Sequence, residues 1–329
     1  MKESIMKNDD ILLVGCGQMA MDYIKVLEAF KQPFKVIGRG EKAALLCEEK
    51  TGHTVTRGGL AAFLNSKPAT TFRKAIVAVN VDALAETTIQ LINSGVKKIL
   101  VEKPGGLNHA EIQAVLDVAV ANGAEIYVAY NRRFYAATLH AQRMIEEDDG
   151  LLSCNFEFTE WGHVIDNLTK GPGVKENWFI CNSTHVVDLA FYLAGRPLQM
   201  NCYTAGKLPW HPAASIFAGA GITDHGVVFS YQANWSAPGR WALEALTANF
   251  RLIFRPMESL QIMHKGSVRI EPVEIDDSLD KEFKPGLYDQ VKRFLDDRDI
   301  SLCTLSEQVE HWDYYCRMAG YAQPDKLTT

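Results

Sequence analysis

A chain of 329 residues with 47% hydrophobic and 22% charged residues has the composition of a folded protein that is long enough for two domains. Its formal net charge of -6 and the lack of a long basic run argue against nucleic acid or an acidic membrane surface as the main partner. No uncharged apolar stretch reaches the roughly 20 residues that span a bilayer, and the polar start of the chain shows no secretory signal. We therefore expect a cytoplasmic protein that acts on a small molecule.

The cysteines and histidines give no sign of a disulfide framework, a metal site or a nucleophilic triad. The seven cysteines are odd in number, scattered and never in C-x-x-C spacing, so we interpret them as reduced thiols. Neither H-E-x-x-H nor another Cys/His ligand spacing occurs, and we expect no metal. Ser183, His185 and Asp188 fall in one predicted helical turn, where side chains fan out, and no G-x-S-x-G elbow is present, which excludes a serine triad.

Residues 11–20, ILLVGCGQMA, open with a short apolar strand and break at once into glycines. In the pattern G-x-G-x-x-A, Gly15 allows a tight turn, Gly17 lets the backbone approach a pyrophosphate, and Ala20 stays small for close packing. Residues 19–30 are rich in helix formers, so their first turn would present unpaired N–H groups to phosphate. The segment predicts a dinucleotide site, with an ordinary strand-to-helix turn as the alternative.

Arg39 follows the second predicted strand, residues 33–38, about 20 positions beyond the glycines. At this position an acidic residue holds the ribose 2′-OH of NAD, whereas an arginine accommodates the 2′-phosphate of NADP. Arg39, with Lys42 nearby, therefore favours NADP over NAD. The alternative is a solvated arginine in a surface turn.

Apolar strands alternate with helices through the first 130 residues, which predicts a doubly wound parallel sheet. Ligands of such sheets bind beyond the carboxyl ends of the strands. Asn80 ends the strand at residues 74–80, and we expect its side chain to cap the helix at residues 82–95, with the cofactor as the alternative partner. The next strand, residues 97–101, runs directly into the sequence EKPGG.

After residue 150 the chain shows strand-like runs in series, several with the alternation of a half-buried strand. These runs lie at residues 151–161, 198–208, 214–222, 226–235, 241–250, 251–255, 260–264 and 268–273. They predict an α+β domain with a large open, mostly antiparallel sheet, interrupted by one helix at residues 183–194. Because the second face of such a sheet must be covered, we expect a homodimer or homotetramer through it; the alternative is a monomer with a solvated polar face.

The predicted elements divide the chain into three parts. These are a dinucleotide-binding domain at residues 1–130, a substrate-binding and oligomerisation domain at 131–300, and a C-terminal helix at 301–329. The loop at residues 162–178 is expected to line the substrate pocket, because it joins a strand to the inserted helix. Trp161 and Trp178 at its ends could stack on a sugar-like ring, although a tryptophan at a strand end is more often core.

Several short motifs, each weak alone, occur in the order found in a known family. They are the glycine turn of residues 15–20, the strand ending near Asn80, the EKP tripeptide of residues 102–104, the segment VAYNRRF of residues 128–134 and the helix THVVDLAFYLAG of residues 184–195. Over residues 10–195 the chain therefore resembles the Gfo/Idh/MocA oxidoreductases, which include glucose-fructose oxidoreductase and inositol dehydrogenase. The resemblance also implies that the terminal helices pack back on the cofactor domain.

The resemblance implies roles for two residues. Lys103, the lysine of the EKP motif, would contact the reacting oxygen beside the nicotinamide, where an ammonium stabilises an oxyanion; a solvated loop lysine is the alternative. His185 would face the nicotinamide across the cleft and take the hydroxyl proton; a histidine of the core is the alternative. The family pattern also implies a cis peptide bond before Pro104.

The chain departs from the family pattern four residues before His185, where many members carry an aspartate and this chain has Cys181. Neither Cys181 nor Asn182 supplies the negative charge that raises histidine basicity, since no cationic cluster in the adjoining sequence would lower the thiol pKa. We expect Asn182 to hydrogen-bond to substrate hydroxyls and Asp188 to anchor its helix.

The predicted function is an NAD(P)-dependent oxidoreductase acting on a secondary alcohol or ketone of a sugar, polyol or nucleotide sugar. The alternatives are a redox-neutral, NAD-dependent glycosidase of the same family and a non-catalytic sensor or scaffold that binds NAD(P), the latter suggested by Cys181. The expected cofactor contacts are Gly15, Gly17, Gln18, Met19, Ala20, Arg39, Asn80, Glu102 and Lys103. The expected substrate contacts are Asn131, Arg132, Trp161, Asn182 and His185.

Overall fold

The computed structural model describes residues 10–66 and 72–322. The chain forms two compact units. The first comprises the described residues up to Tyr130 together with Leu287–Glu310, and the second comprises Asn131–Gly286 together with the described residues from His311 onward. No helix in these ranges has the length and apolar character needed to cross a membrane.

The strands of the described residues are short and are numbered here in chain order. They are β1 (Ile11–Val14), β2 (Phe34–Ile37), β3 (Val55–Thr56), β4 (Lys74–Val77), β5 (Lys98–Glu102), β6 (Glu125–Ala129), β7 (Ser153–Glu157), β8 (Pro197–Ala205), β9 (Ile216–Thr223), β10 (Val228–Asn234), β11 (Ala242–Leu246), β12 (Phe250–Phe254), β13 (Gln261–His264), β14 (Ile270–Pro272) and β15 (Cys303–Thr304).

The α-helices are numbered in the same way. They are α1 (Gln18–Ala29), α2 (Glu41–Thr51), α3 (Gly59–Ser66), α4 (Leu84–Asn93), α5 (His109–Asn122), α6 (Ala136–Glu147), α7 (Gly162–Asp166), α8 (Thr184–Ala194), α9 (Ser278–Glu282), α10 (Leu287–Leu295) and α11 (Leu305–Ala319). Short 3-10 turns occupy Val81–Ala83 and Asn131–Phe134, and a π-helical turn, Phe179–Ser183, leads directly into α8.

The first unit is built on a seven-stranded sheet in the order β15-β6-β5-β4-β1-β2-β3. Neighbouring strands are parallel except β15, which is antiparallel to β6. The four residues of β1 are fully buried, as expected for a central strand covered on both faces. The chain leaves β1 on one side for β2 and returns on the other side as β4, so the strand order reverses at β1, where doubly wound sheets bind their ligands. The predicted doubly wound parallel sheet is confirmed.

The second unit is built on an eight-stranded sheet in the order β14-β13-β12-β11-β7-β10-β9-β8. All neighbouring pairs are antiparallel except β7 and β10, which run parallel. One face is aromatic and buried: the ring of Phe191 in α8 packs 5.6 Å from that of Phe156 in β7 and 5.0 Å from that of Phe229 in β10. The other face carries exposed apolar side chains such as Tyr203 and Val228. The predicted open, mostly antiparallel sheet is confirmed.

Asn80 differs from its predicted role as a side-chain cap. Its exposed side chain makes no capping hydrogen bond. Instead the chain enters a 3-10 turn in which the Ala83 backbone N–H donates to the Asn80 carbonyl at 2.9 Å. The tight turn satisfies the backbone without the side chain, so the prediction that Asn80 caps the following helix is wrong.

A buried ion pair ties α8 to the segment that follows β6. The Arg133 Nε group donates to Asp188 Oδ2 at 2.9 Å, and a second guanidinium nitrogen pairs with Oδ1. Both side chains are almost fully buried, and the guanidinium lies over the Tyr192 ring at 4.7 Å. The anchoring role predicted for Asp188 is confirmed, because neither charge could stay buried without the other.

We expect Asp188→Ala to lower the free energy of unfolding by about 3 to 5 kcal/mol, because the substitution leaves the Arg133 charge buried and unpaired. The matched control is Asp313→Ala on α11, where a half-exposed carboxylate lies 4.0 Å from Arg317; its loss should cost less than about 1 kcal/mol. Urea titration followed by circular dichroism measures both. Equal costs for the two variants would show that the Asp188 pair is not desolvated.

Candidate active site

Gly15 makes the turn between β1 and α1 possible. Its backbone φ is +128°, and a Cβ atom at this position would lie 2.2 Å from the carbonyl oxygen of Ala78, which follows β4. The Gly15 N–H donates to the Ile37 carbonyl of β2 at 2.8 Å. The residue is therefore held between two neighbouring strands with no room for a side chain, as the predicted tight turn requires.

The first turn of α1 faces open space. Gly17 immediately precedes the helix, no side chain caps it, and a Cβ atom placed on it would meet nothing within 4 Å. The first turn carries no acidic residue, Gln18 is exposed and uses its amide on Asp22 at 2.9 Å, and Met19 is half-buried. Ala20 is fully buried, as close packing demands. Uncapped N–H groups at an open helix start fit the pyrophosphate of a dinucleotide.

Arg39 is exposed just beyond β2, and Lys42 is exposed in the first turn of α2. Glu41, which lies between them, is paired with Arg57 at 2.8 Å. In the described parts of the chain neither Arg39 nor Lys42 forms an ion pair. Two cations at the start of a helix thus remain available to an anion.

The EKP segment follows β5 and is held by side chains of the same unit. Glu102 accepts a hydrogen bond from the Tyr23 hydroxyl at 2.8 Å, and Gln290 donates to that hydroxyl oxygen at 3.2 Å. Burial, reinforced by the Glu102 charge, raises the pKa of Tyr23 well above its usual value, so the phenol keeps its proton and donates. Lys103 is half-buried beside this contact.

The Lys103–Pro104 peptide bond is cis, as the family resemblance implied. Gln308 donates to the Pro104 carbonyl at 3.1 Å, and the Gly105 N–H donates to the Glu102 carbonyl at 3.0 Å. Since the sheet is parallel, this segment, the glycine turn, Arg39 and Asn80 all follow the carboxyl ends of their strands at one edge. The predicted cofactor residues therefore share one edge of the first unit.

Glu160 is a buried carboxylate that the sequence interpretation missed. Its side chain is 3% exposed, and it accepts hydrogen bonds from Asn182 Nδ2 at 2.8 Å and from the Ser183 hydroxyl at 2.9 Å. The Arg240 guanidinium lies 3.6 Å away. A buried carboxylate needs such donors. The sequence signal that could have found it is the alternation of Phe156, Phe158 and Glu160, which continues the inward-facing side of β7 beyond the end of the strand.

A carboxylate therefore lies against the helical turn of residues 179–183, although the sequence places none there. Cys181 is buried at 4% exposure, while the carboxylate comes from the segment after β7. The turn itself is π-helical, a geometry that often occurs at functional sites. It presents Asn182 and Ser183 together to Glu160.

His185 in α8 lies near a tryptophan that the sequence interpretation did not select. The ring centroids of His185 and Trp241 are 6.2 Å apart. The Trp241 ring in turn contacts two guanidinium groups, Arg132 at 4.7 Å and Arg240 at 4.8 Å from its centroid. Arg240 also lies 4.8 Å over the Trp161 ring. Arg132, Trp161 and His185, predicted from widely separated segments, thus meet through Trp241 and Arg240.

Two predicted residues have structural contacts instead. Asn131 is 6% exposed, and its amide nitrogen donates to the Pro285 carbonyl at 2.9 Å, which anchors the loop at that point. Trp178 is 8% exposed and packs edge to face on Trp210, so the core alternative applies to it. Trp161 is 49% exposed and lines a cleft of about 560 Å³ with Trp210, Trp235 and three residues of the predicted loop, Gly162, His163 and Asp166.

Residues 10–130 match the model of the family GFO_IDH_MocA, an oxidoreductase family with an NAD-binding Rossmann fold. No curated protein sequence matches the chain. The motif-based resemblance is therefore confirmed over residues 10–130, where the glycine turn and the EKP segment lie.

Solved structures resemble the whole chain at low sequence identity. A levoglucosan dehydrogenase in complex with NADH and levoglucosan is 16% identical, with a TM-score of 0.74 over 95% of this chain and 96% of its own. A UDP-N-acetylglucosamine 3-dehydrogenase from Acidithiobacillus ferrooxidans is 14% identical, with a TM-score of 0.72 over 95% and 97%. An NAD binding oxidoreductase from Klebsiella pneumoniae is 14% identical, with a TM-score of 0.73 over 94% and 95%. These likenesses establish the fold.

We expect Gly15→Ala to destabilise the first unit by about 1 to 3 kcal/mol, because the methyl group meets the Ala78 carbonyl and φ is positive. The matched control is Gly17→Ala, which meets no atom and should melt within a few degrees of wild type while it weakens dinucleotide binding. Thermal melts and fluorescence titration with NADH and NADPH measure the two effects. A Gly15→Ala variant that melts like wild type would contradict the close approach.

Proposed function

We propose that this chain, whose residues 10–130 match the model of the Gfo/Idh/MocA oxidoreductase family, belongs to that family as a whole and is an NAD(P)-dependent oxidoreductase of a sugar or polyol CH–OH group. The observation that carries the proposal is the uncapped, open first turn of α1 behind a glycine that admits no side chain, at the strand edge that also bears Lys103. The solved structures of this fold named above are dehydrogenases or oxidoreductases, two of them of sugars.

The residues Gly15, Gly17, Gln18, Met19 and Ala20 would hold the pyrophosphate of the dinucleotide through backbone N–H groups. When bound, the nicotinamide supplies the acceptor or donor of the hydride. The protein supplies orientation and charge. Glu102, fixed by Tyr23, holds the segment from which Lys103 acts.

Lys103 would stabilise the negative charge that develops on the reacting oxygen, because an ammonium in a half-buried position interacts strongly with an oxyanion. His185 would accept the hydroxyl proton in oxidation and return it in reduction. Asn182 donates one amide hydrogen to Glu160, which leaves its second amide hydrogen and its amide oxygen for substrate hydroxyls.

The two alternatives lack a specific observation in their favour. The sensor hypothesis rested on the missing aspartate at Cys181, and Glu160 now supplies a carboxylate to the same helical turn. The glycosidase hypothesis predicts cleavage of a glycosidic bond without net change in the cofactor, so the same assay separates it from dehydrogenation.

We expect wild-type protein to change NAD(P)H absorbance with at least one member of a sugar, polyol and nucleotide-sugar panel, and Lys103→Met to lower kcat by about 100- to 1000-fold. The matched control is Lys97→Met. Lys97 immediately precedes β5, whereas Lys103 immediately follows it, and Lys97 is an exposed lysine that donates to the Asn122 carbonyl. The control should leave kcat unchanged. Turnover by Lys103→Met at the wild-type rate would overturn the assigned role, and dinucleotide binding without turnover of any substrate would favour the sensor.

We also propose a preference for NADP over NAD. The support is that Arg39 and Lys42, two exposed cations at the start of α2, form no ion pair in the described residues, while the intervening Glu41 is held by Arg57, which it shares with Glu48. A 2′-phosphate would add a charge-assisted contact to the guanidinium.

Arg39→Ala should raise the Kd for NADPH by about 10- to 100-fold, since one charged hydrogen bond contributes about 1.5 to 3 kcal/mol. The Kd for NADH should change by less than about threefold, because that contact is absent. The matched control is Arg73→Ala, which removes an exposed arginine just before β4, at the amino-terminal edge of the sheet. Equal losses for both dinucleotides in fluorescence titrations would exclude Arg39 as the residue that distinguishes them.

The open face of the eight-stranded sheet supports a homodimer or homotetramer. Exposed apolar side chains on this unit include Leu198, Tyr203 and Val228, and burying them would stabilise an assembly. The particle mass from light scattering tests this proposal, and a monomer would contradict it.

The seven free cysteines, six of them buried, suit a reducing compartment, and we propose that the protein acts in the cytoplasm.

A further inference from the structure

The side chains around Trp241 form a cluster that is rich in hydrogen-bond donors. We define the Trp241 cluster as Arg132, Tyr135, Trp241, Arg240 and Glu160. The Arg132 Nη1 group donates to the Tyr135 hydroxyl at 2.6 Å, and the guanidinium lies 5.4 Å over the Tyr135 ring and 4.7 Å over the Trp241 ring. Two aromatic rings and a hydrogen bond therefore hold Arg132 in one orientation.

Two donors of the Trp241 cluster are buried without an acceptor. The Nε group of Arg132 and the Nε1 group of Trp241 have no hydrogen-bond partner in the described parts of the chain, and Trp241 is only 6% exposed. Leaving a buried donor unsatisfied is costly, and such groups in folded proteins usually signal a ligand or a function. The missing partner must be an acceptor.

The charges of the Trp241 cluster do not balance. Arg240 pairs with Glu160 at 3.6 Å, and Glu160 is further occupied by Asn182 and Ser183. Arg132 forms no ion pair with any described carboxylate. The carboxylates whose charges act on the neighbouring Tyr135 are Glu258 and Asp280. Asp280 accepts from the backbone N–H groups of Ala136 and Gly286, and neither carboxylate forms an ion pair with Arg132. Arg132 is therefore the cation of the Trp241 cluster that has no ion-pair partner among the described residues.

We propose that Arg132 binds a carboxylate of the substrate, so that the enzyme acts on sugar acids in preference to neutral sugars. A carboxylate is planar, accepts from a guanidinium edge and carries the single negative charge that the cluster lacks. A nucleotide diphosphate carries more charge than one free guanidinium neutralises. Trp241, which contacts Arg132, lies 6.2 Å from His185, so the carboxylate would bind near the proposed proton acceptor. This inference rests on the proposed function and specifies its substrate class.

The test compares matched pairs of acid and neutral substrates on the full-length protein. The pairs are D-glucuronate with D-glucose, D-galacturonate with D-galactose, and UDP-glucuronate with UDP-glucose. We expect kcat/KM to be at least about tenfold higher for the acid in each pair, which corresponds to one charge-assisted contact. In Arg132→Met this acid-to-neutral ratio should fall to near one, mainly through KM.

Controls separate recognition from folding. Arg255→Met removes an exposed arginine that pairs with Glu157 on the sheet, and it should leave the acid-to-neutral ratio unchanged. Arg132→Lys keeps the charge but loses the planar fork, so an intermediate ratio is expected. If Arg132→Met does not fold, as judged by circular dichroism, the ratio in Arg132→Lys decides the question.

The possible results distinguish this inference from the proposed function. A wild-type ratio near one, or a ratio that Arg132→Met leaves unchanged, overturns the inference while turnover still supports an oxidoreductase. Equal losses for UDP-glucuronate and UDP-glucose would mean that Arg132 binds the diphosphate, which also overturns it. If no sugar is turned over, the proposed function fails, and calorimetric titration with D-glucuronate and D-glucose then decides: selective binding of the acid that requires Arg132 supports the carboxylate site.

Discussion

The close approach between Gly15 and Ala78 is the contact on which the first unit depends. The carbonyl of Ala78 lies where any side chain at position 15 would begin, and the Gly15 N–H is bonded to the strand on the other side. The chain can therefore pass from β1, which lies between β2 and β4, into α1 through a turn of only three residues. Because the turn is this short, α1 starts at the strand edge, and its uncapped first turn lies where parallel sheets bind ligands. Displacing this contact would separate the helix start from the edge that carries Lys103.

In the second unit, buried charged side chains rather than a backbone contact fix the elements that carry the site residues. Arg133 and Asp188 fix α8 against the segment after β6, and Glu160 fixes the π-helical turn that precedes α8. Each charge is removed from water and each has a specific partner, so the helix has few alternative positions of comparable energy. The orientation of His185 and Asn182 follows from these two anchors.

The predictable part of the site is the part that the chain encodes locally. The glycine turn, Arg39 and the EKP segment are read from adjacent residues, and parallel strands bring their carboxyl ends together whatever the loop details. Asn80 was misjudged because a backbone 3-10 bond replaced the side-chain cap, and propensity does not distinguish the two. Short strands such as β3 and β15 were missed because two residues carry no periodicity.

Glu160, Arg240 and Trp241 could not be grouped from sequence, because their proximity depends on strand register. The pairing of Glu157 in β7 with Ala242 in β11 brings the ends of these strands together, and only then does Glu160 lie near Arg240. A shift of register by one residue would turn these side chains to the opposite face. The only local sequence feature that indicates a site here is that Glu160, a charged residue, falls at an inward-facing position.

The position of Glu160 separates two properties that the family pattern resembled by this sequence combines in one helix. Where an aspartate precedes the histidine, the negative charge and the hydrogen-bonding groups vary together, since both belong to the same turn. Here the charge belongs to a strand end and the amide and hydroxyl belong to the helix. Residues 181–183 can therefore change in size and polarity, and so reshape the contacts offered to a ligand, while the site keeps its buried negative charge. Such a division would let ligand preference change while the buried carboxylate stays in place.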